Sequence, residues 1–425
     1  MELYRKDIDV LVVGGGTAGT VAAIQSARAG ARTALVEMGP QLGGAITTGG
    51  VSAPAYFYSR DRQVIAGIGW ELVVQTMALD GKPLPDFQHP RAERPSYHVG
   101  LNGPLYALIA EEACLAAGVT LHYHEIATAM RQTEAGWQVE TVGKNLRREI
   151  TAREVIDCTG DADLVGMAGF ERVQGQVRQP GTMEFRIGGY DLAALDADLI
   201  QARYRQALQE GRLQPGDFYQ ADGFFLDFLR LAGFNCQHIV GADSTTSATQ
   251  TEANIRGRRS LLRLLRFVRS LPGCENARLL YASPITTPRE TYRIVGEQTV
   301  THEDYITGRI FPDAICYTYY FIDVHTDKGI EREFVPAGLV PTIPLGALVP
   351  RGSRHLLTAG RTVSSDRLAH SALRVQASCM AMGQAAGAAA AWGALHDIAS
   401  RDVPLDELRA LLRAHGAIVP EQKPV

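Results

Sequence analysis

Two rhythms of apolar and polar positions organise the start of the chain. Val10 to Val13 is a short run of mostly β-branched residues, the pattern of a buried parallel strand. From Thr17 the small residues Ala18, Ala22, Ala23 and Ala27 recur at helical intervals, and Gly30 stands where a left-handed cap would end the helix. Thr33 to Val36 repeats the strand pattern and runs into Glu37. Leu101 to Ala117 then reads as a helix stopped by Gly118, Val119 to His124 as a strand, and the alternation around Gly136 and Asn145 as an antiparallel excursion. A strand within Glu154 to Leu164 halts at Thr159-Gly160-Asp161. Another, beginning at His355, enters Ala359-Gly360-Arg361, and Cys379 to Leu395 is a long helix of small residues.

Between the first strand and the first helix, Gly14, Gly16 and Gly19 have the G-x-G-x-x-G spacing. The first glycine permits a tight turn, the second lets backbone approach a pyrophosphate, and the third lets helix pack on strand. A helix N-terminus offers unpaired N–H groups and a favourable dipole to the phosphates. Glu37 ends the second strand, where a carboxylate binds ribose hydroxyls. Strand, glycines, helix, strand and acid in that order predict a dinucleotide site. The segment Gly39 to Gly50, GPQLGGAITTGG, suits backbone lying along a flat ligand through Gly43 and Gly44, or equally a flexible surface loop.

Composition narrows the class. The 425 residues are 46% hydrophobic and 21% charged, which suits two or three globular domains. A formal charge of −4 gives no reason to expect nucleic acid. No stretch is apolar enough to span a bilayer and no signal peptide is visible, so a cytoplasmic location is expected. The six cysteines form no C-x-x-C pair, so neither a metal site nor a redox disulfide is expected.

Five ordered blocks carry a family resemblance: the GGGTAG turn with Glu37, LGGAITTGG, VIDCTGDADLVGMAG, PRETYRIVGEQTVTHED, and LLTAGRTVSSDRLAHSALRVQASCMAMGQAAGAAAA. Together they resemble the FAD-dependent oxidoreductases of the glutathione-reductase-like superfamily. The resemblance implies an α/β fold: a Rossmann-like FAD-binding domain, a parallel sheet with an antiparallel excursion, and an inserted α+β substrate domain. The FAD-binding domain would be discontinuous, over 1–55, 100–175 and 342–425, with the substrate domain over 56–99 and 176–341. The expected FAD contacts are Gly14, Gly16, Thr17, Ala18, Gly19, Glu37, Gly43, Gly44, Thr159, Gly160, Asp161, Gly360, Arg361 and Arg374, the two arginines supporting FAD or the domain joint. The resemblance also aims the N-terminus of the C-terminal helix, near Ala377 to Met380, at the flavin ring. No second glycine unit follows a strand, so no NAD(P)H domain is expected. The FAD is expected to be noncovalent, since no histidine or cysteine stands between Leu42 and Val51.

A small-molecule substrate would need a group to fix it and a group to exchange its proton. Arg289 and Arg293 would share one face of a strand-like run with Glu290 on the other. With Arg367 they would form one electropositive pocket for an anionic substrate, or be neutralised by Glu290, Asp304 and Asp366. The family usually has an arginine in place of Tyr292 and often a histidine in place of Arg367. His325 and His370 are acid–base candidates or structural histidines. Tyr317 and Tyr319 read as core or pocket wall. The expected activity is oxidation by hydride transfer to FAD, with oxygen, a quinone or a protein carrier as acceptor. Reduction of an activated C=C bond and noncatalytic flavin binding are the alternatives. Asn254 to Leu271 is a basic amphipathic helix that reads as a solvated face packed by its leucines, with a membrane surface as the other reading.

Overall fold

A computed structural model describes residues 2–60, 62–87, 98–134, 136–220 and 223–421. Its centre is a sheet built from β1 (Glu2–Val13), β2 (Thr33–Glu37), β3 (Thr120–Tyr123), β4 (Ile126–Thr133), β5 (Gly136–Gly143), β6 (Leu146–Asp157) and β7 (Leu356–Thr358). The order is β3-β2-β1-β6-β5-β4, with β7 also on β6. β1, β2, β3, β6 and β7 pair in parallel, and β4, β5 and β6 form the antiparallel excursion. β6 serves both parts: Leu146 to Ala152 pairs with β5, and Val155 to Asp157 with β7. β1 begins well before Val10. Its first half is exposed and polar, so apolar patterning does not reveal it. It is held by register with β6, an Arg5–Glu149 ion pair at 3.0 Å and Arg148 over the Tyr4 ring.

Helix α1 (Thr17–Arg28) follows the glycine turn, and α2 (Gln376–His396) lies against it. A Cβ on Gly383 would stand 2.2 Å from the Ala18 carbonyl oxygen, and one on Gly387 2.4 Å from that of Ala22. The Ser26 hydroxyl donates to the Gly387 carbonyl at 3.0 Å. The small residues of α2 are therefore explained by close approach to α1.

The core around these helices also takes in Phe57, Leu72, Val300 and Ile343. A separate core, between Phe185 and Ala277, collects Tyr204, Phe218, Phe225, Phe228 and Phe267 under a three-stranded antiparallel sheet. The basic helix runs from Ser247 to Arg269 and starts early because Thr246 and Thr249 form a capping box. It buries Leu261, Leu264, Phe267 and Val268, which is the packed-face reading. The strand-like run at Arg289 is shorter than expected. Only Tyr292–Ile294 is a strand, and Arg289 and Glu290 precede it in irregular chain. Tyr317 ends the strand Ala314–Tyr317, whereas Tyr319 lies outside it. Among the described residues no helix is long and apolar enough to cross a membrane.

Candidate active site

At the C-terminal end of β1 the chain turns sharply, with Gly14 at φ +100°. A Cβ there would stand 2.3 Å from the Cys158 carbonyl oxygen, and a Cβ on Gly19 only 1.8 Å from that of Gly14. Gly16 differs, since a Cβ on it would meet nothing within 4 Å. Gly16 is the N-cap of α1 and no side chain caps the helix, so the first amides have no side-chain acceptor. Open space in front of uncapped helical amides is what a pyrophosphate requires. The 39–50 loop closes beside this opening. The Gly43 N–H donates to the Gly15 carbonyl at 2.8 Å, and a Cβ on Gly44 would lie 2.8 Å from the Gly16 Cα.

Glu37 accepts from the Gly15 N–H through Oε2 and from the Gly39 N–H through Oε1, both at 2.6 Å. Burial raises its pKa against those two amides. The carboxylate thus shapes the glycine turn. Thr159 is fixed by Asp157, which accepts from its N–H at 3.0 Å and its hydroxyl at 2.7 Å. Gly360 lies against α1, where an added Cβ would be 3.4 Å from the Ala18 Cβ.

Arg361 clips three segments together. Its Nε donates to the Gly160 carbonyl at 2.7 Å, Nη1 to that of Pro288 at 3.1 Å, and Nη2 to Asp161 at 2.8 Å and Ser244 at 3.1 Å. The Thr291 hydroxyl also donates to Asp161, at 2.6 Å. His370 is buried with Nε2 2.7 Å from the Arg361 carbonyl, and burial beside Arg293 holds its pKa far down.

The other arginines separate into two groups instead of lining one pocket. Glu290, fully buried, pairs with Arg293 at 2.7 Å and faces Arg367 at 3.7 Å. The bend before Tyr292 brings Glu290 to Arg293, so the expected division of faces does not hold. Asp304 binds Arg309, and Asp366 caps the helix Arg367–Leu373, so neither carboxylate is the partner of Arg289.

Arg289 joins Arg374. It donates to the Pro180 carbonyl at 2.5 Å and to Asn235 at 2.8 Å, and burial beside Arg374 lowers its pKa to about 9. Arg374 donates through Nη2 to Gln179 at 3.2 Å and lies 3.7 Å from Asp323. Its Nε is buried with no hydrogen-bond partner. Asp323 also accepts from His325, whose Nδ1 is 2.7 Å from Nε2 of His238. Burial and Arg289 push both imidazoles down to about 3, while His325 and the arginines hold Asp323 below the usual carboxylate range despite its burial. With both histidines neutral, two guanidinium groups face one carboxylate. His98, Tyr56 and Tyr320 form an aromatic group nearby, and Asp323 acts electrostatically on His98 and Tyr320.

Other buried polar atoms near these residues lack partners: Gln179 Nε2, Thr182 Oγ1, Thr287 Oγ1, Glu184 Oε2 and Gln376 Oε1. Buried polar atoms are normally satisfied, so a concentration of orphans between the loop 39–50 and the start of α2 fits a bound cofactor and substrate. At that start, the Ala377 N–H is taken by the Pro54 carbonyl at 2.8 Å. Sequence reasoning missed Gln179, Glu184, His238 and Asp323, which sit in no motif. Only Asp323 stands in a strand, where its polarity was a signal; the other three lie in irregular chain and offered none. All six cysteines are buried free thiols, and burial raises the pKa of Cys158 and Cys379. No group of metal-binding side chains is found among the described residues.

The sequence model of the FAD-dependent oxidoreductases matches residues 9–412. The chain belongs to that family. As a member of it, the chain is an FAD-binding oxidoreductase. No curated protein sequence matches it. Among solved structures it is similar to a geranylgeranyl bacteriochlorophyll reductase-like protein from Thermoplasma acidophilum, at 13% identity over 96% of this chain and 83% of that one, with a TM-score of 0.46. It is also similar to a p-nitrophenol 4-monooxygenase from Pseudomonas putida, at 13% identity over 97% and 84%, with a TM-score of 0.43. At these values neither likeness bears on the substrate of this FAD-dependent oxidoreductase.

Proposed function

We propose that this enzyme oxidises a small organic substrate carrying a carboxylate or comparable anionic group, and that Arg289 and Arg374 hold that group. The observation that carries the reading is the charge count: two guanidinium groups, Arg289 buried and Arg374 half-buried, share one carboxylate, Asp323, which leads a chain of two neutral histidines, His325 and His238. Unpaired buried charge is unfavourable, and an anion entering the cleft relieves it. The pair replaces the trio of Arg289, Arg293 and Arg367, because Glu290 already neutralises much of the charge on the latter two. The Arg374 Nε, without a partner, is a donor available to such an anion.

FAD, held noncovalently in this reading, supplies the hydride acceptor. The amides of Thr17, Ala18 and Gly19 at the α1 N-terminus would hold its pyrophosphate, with Gly14, Gly16, Gly43 and Gly44 giving backbone access. Glu37 would take the ribose, and Thr159, Gly160, Asp161 and Gly360 would border the cofactor. Arg361 is proposed to join the cofactor-side and substrate-side segments. The division into a discontinuous FAD-binding part and a substrate part, and the placement in the glutathione-reductase-like superfamily, belong to the same proposal. His325 positions Asp323, and with its pKa held down to about 3 it is too weak a base to keep the substrate proton at physiological pH.

The test is anaerobic. The yellow protein is mixed with a panel of hydroxy acids, amino acids and uncharged alcohols and amines, and bleaching of the flavin is followed. Bleaching by an acid, and none by its amide or ester, is expected. A best substrate that is uncharged would overturn the assignment. Reoxidation of the dithionite-reduced protein by unsaturated acids, with no bleaching by saturated ones, would reverse the direction and leave the anion site standing.

A further inference from the structure

We propose that Glu184 is the residue that exchanges the substrate's proton, an assignment that rests on the redox reading above. Thr182 and Glu184 alternate along one extended segment, so their side chains share a face. Thr182 is paired with Thr287 through both backbone N–H groups, at 3.0 and 2.7 Å. The side chains of Thr287 and Glu184 meet the end of the glycine-rich loop. A Cβ on Gly49 would stand 2.6 Å from the Thr287 hydroxyl, and one on Gly50 2.9 Å from both Cβ and Cγ of Glu184. Both hydroxyls and the Glu184 Oε2 are buried without partners. The same loop leads through Val51, whose carbonyl accepts from Gln376 at 2.8 Å, to the start of α2. Glu184, 1% exposed, therefore lies beside the loop that leads to the start of α2, the helix end that the family resemblance aims at the flavin ring.

Few charges surround it. Arg186, on its own chain segment, pairs with Oε1 at 2.7 Å. Among the described residues, Tyr281 from the strand on one side and Cys236, just after the strand on the other, are the other titratable groups that feel its charge. Gly49 and Gly50 bring none. Burial outweighs Arg186, and the carboxyl is pushed up to about 8. A carboxyl that changes state near the working pH can give or take a proton.

In oxidation, the substrate C–H bond breaks and its electron pair leaves as hydride to bound FAD. The proton on the adjoining oxygen or nitrogen passes to the Glu184 carboxylate, and a C=O or C=N bond remains. In the opposite direction a C=C bond receives hydride at one carbon and the proton of the Glu184 carboxyl at the other. Oxidation needs Glu184 ionised, so its rate rises with pH. Reduction needs it protonated, so its rate falls. The slope of one pH profile therefore reports the direction.

The experiment compares wild type, Glu184→Gln and Glu184→Asp as FAD-loaded proteins. Rate constants for flavin reduction at saturating substrate are measured across pH, using the best acid from the panel, and infrared spectra are recorded over the same range without substrate. Wild type should show one ionisation near pH 8 with about a tenfold change per unit on its limiting limb. Glu184→Gln should be slower by about 10²-fold or more, with no such limb and unchanged substrate affinity. Glu184→Asp should keep the limb. A protonated-carboxyl carbonyl band should be present at pH 7, fade above pH 8 and be missing in Glu184→Gln. A Glu184→Gln protein with the wild-type profile, or with the band intact, would overturn the assignment alone. If no compound in either direction exchanges electrons with the flavin, the redox reading itself falls, whatever the band shows.

Discussion

Arg361 and Arg374 stand in one C-terminal block and face opposite electrostatic situations. Arg361 has four acceptors around it, one of them the carboxylate of Asp161, and those acceptors come from three separate segments. Arg374 shares Asp323 with Arg289, touches Gln179, and keeps a buried Nε without a partner. A guanidinium whose donors and charge are met by the protein is a structural clip. One with charge and donors left over is poised for a ligand. The difference lies in the neighbours, not in the residue, and no inspection of the block alone separates the two.

Opening the clip should have the largest effect on stability. Asp161→Ala would leave Arg361 partly buried without its counter-charge, together with the Ser244 and Thr291 hydroxyls that now donate to Asp161. A loss of about 3 kcal/mol in unfolding free energy is expected, measured by denaturant titration of the FAD-loaded protein, with substrate KM unchanged wherever the protein stays folded. A raised KM with little loss of stability would move Asp161 and Arg361 from the clip to the substrate.

The converse variant attacks the arginine pair. Arg374→Gln removes a charge-assisted, planar grip, so KM for an anionic substrate should rise by about 10²-fold, corresponding to ~3 kcal/mol, while the protein keeps its colour. Arg293→Gln should disturb KM far less, because Glu290 holds that guanidinium. Equal effects from the two variants would restore the single pocket of Arg289, Arg293 and Arg367.

Why the nucleotide end was legible and the cleft was not follows from chain distance. Gly14, Gly16, Gly19 and Glu37 act within one βαβ unit, where spacing along the chain is spacing in space. Even there, the Gly15 and Gly39 amides that Glu37 fixes carry no mark in the spacing, because they are backbone groups. The proposed substrate site draws on Gln179, Glu184, His238, Arg289, Asp323 and Arg374, which no local period connects. Glu290 illustrates the limit. Alternation puts it opposite Arg293, yet a bend before Tyr292 turns its carboxylate onto that arginine. The polar first half of β1 was hidden for a related reason: its stability comes from cross-strand partners, not from an apolar face.

The arginine pair should also leave a mark on acid stability. His238 and His325 bind protons near an ordinary 6.5 when unfolded, but only near about 3 when folded. Between those values the unfolded state holds more protons, so stability falls as pH falls. At pH 5 each histidine contributes ~2 kcal/mol of that loss. His238→Gln should flatten the stability profile between pH 6.5 and 5 by about that amount. A profile as steep as wild type would mean that His238 takes up its proton in the folded protein, adding another positive charge beside Arg289 and Arg374.

The smallest expected effect distinguishes clip from grip by shape alone. Arg361→Lys keeps the charge near Asp161 but cannot reach the Gly160 and Pro288 carbonyls and Ser244 together, because an ammonium has no planar fork. Removing these neutral hydrogen bonds while the ion pair persists should lower the unfolding free energy by ~1 kcal/mol. KM should not move, since none of the lost contacts involves substrate in this reading. Arg374→Lys is the matched control. It keeps charge near Asp323, so stability should hold, but it gives up the free Nε donor, so KM should rise about tenfold. The pair of variants thus crosses stability against KM. If Arg361→Lys raises KM while Arg374→Lys lowers stability, the two arginines have been assigned to each other's roles.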